Sequence, residues 1–92
     1  MNTLYVGIDV SSKSNVVYLM LPNGNKHSNF SVTNSYDGST QLVKRIHSAL
    51  TTHSLDTVLI GLEATNVYGE NLVYFLREDA TLAPFNRKIH VL

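Results

Sequence analysis

The fold of this chain is decided by the stretch Val6-Gly7-Ile8-Asp9-Val10-Ser11-Ser12-Lys13-Ser14-Asn15-Val16. An apolar strand ends here at a single carboxylate, Asp9, and the chain then turns through serines and a lysine into a second apolar strand. A second stretch, Val58-Leu59-Ile60-Gly61-Leu62-Glu63, also leads an apolar strand into one acid. One Asp after a strand is weak evidence, because turns favour Asp for local reasons. Two such strands together predict a shared site. A pair of carboxylates suits a divalent metal ion.

Composition limits the classes of protein that this chain can belong to. Its 92 residues, 43% hydrophobic and 15% charged, fit one small globular domain or a part of a larger one. Seven Lys and Arg balance seven Asp and Glu, so the chain lacks the basic excess of a stand-alone nucleic-acid binder. There are no cysteines for disulfides or thiolate metal sites. Since no apolar run approaches the ~18 residues of a membrane span and no leader pattern opens the chain, we expect a soluble, cytoplasmic protein without membrane contact.

The first third of the chain predicts an antiparallel meander of three strands. Residues 3–9 alternate up to Asp9, and residues 15–21 are apolar on both faces, which indicates a central strand of the sheet. Asn23-Gly24 supplies the positive φ of a hairpin turn. In the third strand, residues 26–32, Phe30 and Val32 alternate with polar residues, as in an outer, half-solvated strand.

The rest of the chain predicts two helices that alternate with two more strands. Asn34 or Ser35 caps the first helix, and Asp37 lies in its first turn, where the helix dipole favours an acid. Its inward positions recur at helical spacing: Leu42, Val43, Ile46, Ala49 and Leu50. Residues 56–62 predict a parallel strand buried on both faces. A second helix then presents Tyr68, Leu72, Phe75 and Leu76 on one side, with Tyr68 and Phe75 interpreted as core; a polar linker over residues 79–86 leads to a fifth strand from residue 88.

These elements predict a mixed α/β sheet. Right-handed crossovers make strands four and five parallel to strand one, and the simplest strand order is 3-2-1-4-5. Asp9 and Glu63 then lie at the same ends of neighbouring strands, the end at which α/β sheets build their sites. Because adjacent strands are ~4.8 Å apart, both carboxylates can reach one ion.

The strand order and the two acids resemble the RNase H-like fold in its RuvC form. More narrowly, the chain resembles the N-terminal part of the DEDD-type transposases of insertion sequences, the group numbered one-ten, which are related to pilin-gene inverting recombinases. The residues that carry this resemblance are Tyr5-Val6-Gly7-Ile8-Asp9-Val10-Ser11 and Gly61-Leu62-Glu63-Ala64-Thr65-Asn66-Val67-Tyr68-Gly69-Glu70-Asn71-Leu72. An acid followed by Ala-Thr-x-x-Tyr and an apolar helix is typical of that group. Asn66 departs from it, since the group commonly has Gly there.

The resemblance implies a metal-dependent enzyme of DNA recombination. Asp9 and Glu63 would be the first two acids of the DEDD set, and the other two would lie beyond residue 92. The chain would then be an incomplete domain that binds Mg²⁺ or Mn²⁺ weakly and is inactive alone. Implied partners are DNA at insertion-sequence ends and a guide RNA. A sheet-covering C-terminal helix of the family would also be missing, so we expect an open face, an open edge and self-association.

Each candidate site residue also has an ordinary structural explanation. Asp9 can cap a turn and Glu63 can begin a helix, while Ser11, Ser12 and Lys13 can position a phosphate or only form the hairpin loop. Thr65 can contact substrate or cap the second helix, and capping is favoured. The four histidines show no metal-ligand spacing and receive no role.

Two other functions remain open on the sequence. Sugar kinases and actin-like ATPases share this fold and begin with a Gly-Ile-Asp strand, but they need a Gly-Thr or Gly-Ser phosphate loop and a second phosphate motif that are missing here. A non-catalytic interaction module is the third possibility.

Overall fold

One mixed sheet with two helices forms the protein in a computed structural model that describes residues 2–63 and 67–91. Within those residues the strand order is β3-β2-β1-β4-β5, which confirms the predicted order. The elements in chain order are β1 (Thr3–Val10), β2 (Ser14–Met20), β3 (Lys26–Thr33), α1 (Tyr36–Thr52), β4 (Thr57–Leu62), α2 (Val67–Glu78) and β5 (Asn86–Val91). Several boundaries differ from the predicted ones by one or two residues.

Strand β1 is the middle strand of the sheet, with two strands on each side of it. It is antiparallel to β2 and parallel to β4. The hairpin that joins β2 to β3 turns at Gly24, whose φ of +86° is a left-handed conformation that side chains disfavour. The chain thus begins as the predicted meander, with β3 at one edge of the sheet and β5 at the other.

Both helices pack on one face of the sheet. The connection from β3 to β4 and the connection from β4 to β5 cross the sheet in the same direction, so right-handed crossovers place α1 and α2 on the same side. The core lies between that side and the helices. Its most deeply buried side chains are Leu4, Val17, Leu19, Leu42, Ile46, Leu50, Val58, Ile60, Leu76 and Leu82.

The start of α1 is fixed by a cap and by a close backbone approach. Ser35 is the N-cap, and its hydroxyl accepts a hydrogen bond from the Gly38 amide at 3.1 Å. A Cβ built on Gly38 would lie 1.8 Å from the carbonyl oxygen of Thr33. Only glycine therefore fits where the helix leaves the end of β3.

The prediction that β4 is buried on both faces is wrong, and β2, although it pairs with a strand on each side, is also uncovered on one face. Tyr18 and Met20 of β2 are 48% and 42% exposed, and Leu59 of β4 is only half-buried. Apolar residues on both sides of a strand show its hydrophobicity, whereas coverage depends on where the helices pack. Here the described helices pack on one face only.

Two smaller predictions also need correction. The segment between α2 and β5 is not simply polar, because Leu82 within it is fully buried and its amide donates to Asp79 Oδ1 at 3.1 Å. Tyr68, interpreted as core, is 42% exposed, while Phe75 is half-buried against the core. The residues at positions 64–66, including Thr65 and the Asn66 departure, lie outside the described residues.

Neither described helix combines the length and the apolar character that crossing a membrane requires.

Candidate functional site

The site is built where β1 and β4 end side by side. Their parallel register continues to the pair Ile8 and Leu62, and the next residues along the two strands are Asp9 and Glu63. Ile8 and Leu62 are both buried beneath the helices, so the alternation of strand side chains directs Asp9 to the opposite face, while Glu63 directly follows the last residue of β4. Both acids are exposed. Two exposed carboxylates therefore lie at the same end of neighbouring strands.

The hairpin after Asp9 holds this end of β1 in place. Within it, the Ser11 amide donates to the Ser14 carbonyl at 3.1 Å. The side chain of Asn34 donates to the Ser11 carbonyl at 2.6 Å, and the Asn34 amide donates to the Lys13 carbonyl at 3.0 Å. These bonds tie the hairpin to the segment between β3 and α1, so the backbone next to Asp9 is anchored by a part of the chain more than twenty residues away.

The structure gives the loop residues different surroundings. The Ser11 hydroxyl accepts from the Ser14 amide at 3.2 Å and also donates to the Ser14 carbonyl, so it is used within the turn. Ser12 and Lys13 are exposed at the tip of the hairpin. Ser11 thus has the geometry of a turn former, while a phosphate contact through Ser12 or Lys13 stays a prediction.

The donor set suits a single, weakly held cation. Among residues 2–63 and 67–91, no three His, Asp or Glu side chains come together as a metal-holding group. Mg²⁺ often takes only one or two carboxylates from a protein and completes its octahedron with water and substrate phosphate. Asp9 and Glu63 fit that pattern, and their role as ligands stays a prediction.

His90 lies on β5, the strand next to β4, and sequence reasoning gave it no role. It is opposite Gly61 in the register of β4 and β5, and Gly61 lies two residues before Glu63 along the chain. Its side chain is exposed. The alternation of Lys88 and His90 with the half-buried Ile89 is the sequence signal that could have placed it on the side of the sheet away from the described helices.

A groove runs along the face of the sheet that the described helices do not cover. Its floor is made by Gly7 and Gly61, which are paired in the register, and a Cβ built on either glycine meets no atom within 4 Å. The groove has a volume of about 780 Å³. Its other lining residues are Tyr5, Val6, Tyr18, Leu19, Met20, Leu59 and His90. The lining of the groove is therefore largely apolar and aromatic, and it includes neither Asp9 nor Glu63.

Solved structures share this fold at low sequence identity. A Bacteroides thetaiotaomicron protein with an actin-like ATPase fold and unknown function matches 99% of this chain at a TM-score of 0.61 and 11% identity. An exopolyphosphatase from Cytophaga hutchinsonii matches 97% at 0.54 and 11%, and the Ppx/GppA phosphatase of Aquifex aeolicus matches 98% at 0.53 and 11%. The chain spans 33%, 34% and 35% of those chains, respectively, so it corresponds to about a third of each. At this identity the likeness shows the fold alone.

Sequence comparison identifies the family. No curated protein matches the chain significantly. A family model described as a transposase, for the DEDD transposases of the IS110 type, matches residues 6–90, which include both strand-end acids. That match extends over nearly the whole chain, and it agrees with the resemblance of the two acid-bearing stretches. The chain therefore belongs to the IS110-type family of DEDD transposases.

Proposed function

We propose that this chain supplies the first half of the metal site of a transposase, with Asp9 and Glu63 as the first two acids of the DEDD set. The observation that supports the proposal is the parallel register of β1 and β4, which extends to Ile8 and Leu62, the residues directly before Asp9 and Glu63. Membership of a transposase family supports the same reading. The coarse function is DNA transposition.

The chemistry assigned to these residues is cation binding. Asp9 and Glu63 would hold one Mg²⁺ or Mn²⁺ weakly, leaving the other coordination positions to water and a substrate phosphate. A bound divalent ion would supply Lewis-acid stabilisation of charge on phosphate oxygens. Because phosphodiester cleavage of this kind uses two ions, it needs carboxylates beyond these two. We therefore propose that the chain alone has no turnover.

The proposed partners are DNA at insertion-sequence ends and, for the full-length family, a guide RNA, in the cytoplasm. The balanced charge of this chain limits how much it can add to such binding. Affinity for a phosphate backbone depends on the number of phosphates that Lys and Arg neutralise. Most of the required positive charge would come from elsewhere in the complete assembly.

The test of the metal site is a titration of the chain with Mn²⁺, followed through the amide signals in NMR spectra. We expect paramagnetic broadening at residues 9–11 and 63, with much weaker broadening at Asp37, an exposed acid in the first turn of α1. The matched control is the Asp9→Asn, Glu63→Gln double variant, which keeps the size of both side chains and removes their charge. Broadening no greater at residues 9 and 63 than at residue 37 would disprove the shared site.

A second candidate function, nucleotide binding, is raised by the fold shared with a protein of actin-like ATPase fold. The hairpin after β1 carries Ser11, Ser12 and Lys13 without a glycine, so it lacks the residue that allows a close backbone approach to phosphate. We expect no saturable shift of the amide signals of residues 11–13 when ATP and Mg²⁺ are added. A saturable shift there would favour the nucleotide-binding function.

The third candidate is a non-catalytic interaction module. It predicts that nucleic-acid binding survives the change of Asp9 and Glu63 to alanine in the absence of metal. The transposase proposal predicts that any binding at this edge depends on the cation. Fluorescence anisotropy of a labelled DNA strand, measured with Mg²⁺ and with a chelator, separates the two.

A further inference from the structure

Two histidines that are distant in the sequence meet at the β3 edge of the sheet, and they are called the histidine pair below. His27 lies in β3, and His53 is the C-cap of α1. The centres of their imidazole rings are 5.0 Å apart, and the ring planes are at 88° to each other. Both side chains are exposed. Two imidazoles from separate elements thus lie within reach of one small ligand.

An irregularity in β3 directs His27 toward the end of α1. In the register with β2, Ser28 pairs with Leu19 and Lys26 pairs with Met20, so His27 between them has no partner. Leu19 is buried beneath the helices, and strict alternation after Ser28 would therefore direct His27 away from them. A β-bulge bends its strand and re-aims a side chain. The bulge explains why this ring reaches the helix side of the sheet.

The backbone that carries His53 is anchored by the end of α1. The His53 amide donates to the Ala49 carbonyl at 3.2 Å. The next residue, Ser54, has a φ of +53°, the left-handed conformation with which helices commonly end. After it, the amide of buried Leu55 donates to the Leu50 carbonyl at 2.8 Å. His53 is therefore held at a fixed place relative to the helix and the core.

We propose that His27 and His53 together bind one divalent transition-metal ion, of which Zn²⁺ is the type. Imidazole nitrogen is a ligand that this class of metal prefers, whereas Mg²⁺ prefers oxygen. A Zn–N bond of ~2.1 Å places the ring centre ~3.2 Å from the ion, and two such rings at the tetrahedral angle have centres ~5.2 Å apart. The observed 5.0 Å agrees with this separation. Because the χ2 torsion of histidine has a broad minimum, the exposed rings can turn a nitrogen toward the ion without moving the backbone.

The surroundings of the histidine pair also favour a cation. Nδ1 of His27 lies 3.2 Å from the Ser28 hydroxyl. When Nδ1–H donates to that hydroxyl, Nε2 carries the free lone pair, as in metal sites where an outer partner holds the other ring nitrogen. The carboxyl end of a helix attracts positive charge, and residues 49–52 of α1 include no Lys or Arg to supply it. With two protein ligands and water in the other positions, the site is weak, with a dissociation constant in the micromolar range or above.

The histidine pair is separate from the two acids. Strand β3 runs in the same direction as β1, since each is antiparallel to β2. His27 is near the start of β3, whereas Asp9 is near the end of β1, so they lie at opposite ends of the sheet. An ion on the histidine pair would link the β2–β3 hairpin to the end of α1. Because the unfolded chain does not hold the two rings together, the ion would stabilise the folded chain by mass action.

Binding is tested by titrating the chain with Zn²⁺ in an excess of Mg²⁺ and following the imidazole signals in NMR spectra. We expect the ring signals of His27 and His53 to shift together, with one midpoint, and to saturate. His27→Ala and His53→Ala should each raise the dissociation constant by about tenfold or more, at least the loss that removing an outer partner causes. The matched control is His90→Ala, because His90 is also exposed but lies on β5, at the other edge of the sheet. It should leave Zn²⁺ binding unchanged.

Thermal unfolding gives a second measurement that needs no assigned signals. We expect Zn²⁺ to raise the unfolding midpoint of the unmodified chain and of His90→Ala, and to lose this effect in His27→Ala. Ring signals that shift independently, no saturation below millimolar Zn²⁺, or a full response in His27→Ala would show that the two rings only pack edge to face. The Asp9→Asn, Glu63→Gln variant should keep the Zn²⁺ response of the histidine pair. Loss of that response would overturn the separate site, whatever Mn²⁺ does at the acids.

Discussion

The two faces of the sheet are built from similar residues and have opposite surroundings. On β4, Val58 and Ile60 point toward the helices and are fully buried. Leu59 between them points to the face that the described helices do not cover and is only half-buried. On β2, Val17 is fully buried and its neighbour Tyr18 is 48% exposed. The comparison teaches that neighbouring apolar side chains of one strand can differ fully in burial, because only the side that faces the helices forms the core.

The cause of this difference is the direction in which the chain crosses the sheet. Both connections that contain helices move from β3 toward β5, and right-handed crossovers in one direction stack their helices on one side. A sheet whose connections reversed direction would have a helix on each face. Asp9, at the end of β1, alternates onto the face that these two helices leave open.

The largest expected effect compares adjacent residues on the two faces. Ile60→Ala removes fully buried methyl and methylene groups and should lower the free energy of unfolding by about 2–5 kcal/mol. Leu59→Ala should lower it by less than about 1 kcal/mol, because that side chain keeps much of its contact with water. Urea unfolding of the two variants measures both losses. Equal losses would show that Leu59 is as well covered as Ile60.

The next contrast compares a glycine at the start of α1, Gly38, with a glycine in the sheet, Gly61. Gly38→Ala should lower the free energy of unfolding by about 1–3 kcal/mol, because the new methyl group would overlap the backbone carbonyl of Thr33. Gly61→Ala meets no atom within 4 Å and should change stability by less than about 0.5 kcal/mol. Thermal melts of the two variants decide the comparison, and a stable Gly38→Ala protein would show that the start of α1 can shift.

A buried amide on the helix side gives an effect in the opposite direction. Asn15 is fully buried, and neither its side-chain oxygen nor its side-chain nitrogen has a hydrogen-bond partner. Asn15→Leu, similar in shape, should raise the free energy of unfolding by about 1–3 kcal/mol, since it removes an unpaired buried polar group. The control is Asn29→Leu, on an exposed position of β3, where stability should hardly change. A destabilised Asn15→Leu variant would indicate an ordered water or another partner for the amide.

The smallest effect concerns the cap that positions α1 over the sheet. Ser35→Ala should lower the free energy of unfolding by about 1 kcal/mol, because the Gly38 amide loses its acceptor. Ser48→Ala, at an exposed position within the same helix, should be neutral or slightly stabilising, since Ala has the higher helix propensity. Chemical denaturation of the two variants measures the difference, and equal stability would mean that the cap contributes nothing.

Much of the fold could be predicted because local patterns and general rules were sufficient for it. Alternation along β1 and β3, the Asn23-Gly24 turn and the spacing of α1 gave elements whose types the structure confirms. The right-handed crossover rule then left one simple strand order. That order places Asp9 next to Glu63, and their role as metal ligands stays a prediction.

The sequence by itself determined the order of the strands, the end of the sheet where the acids lie and the family of the chain. These depend on periodicity, on chain handedness and on short motifs, all of which are local or general. Only the tertiary structure decided which apolar residues are covered, why Leu82 is buried in a linker, and that Gly7 and Gly61 pair to form a groove floor. The physical reason is that a side chain's periodicity fixes the direction in which it points, whereas its burial depends on distant segments that pack, or do not pack, on that side.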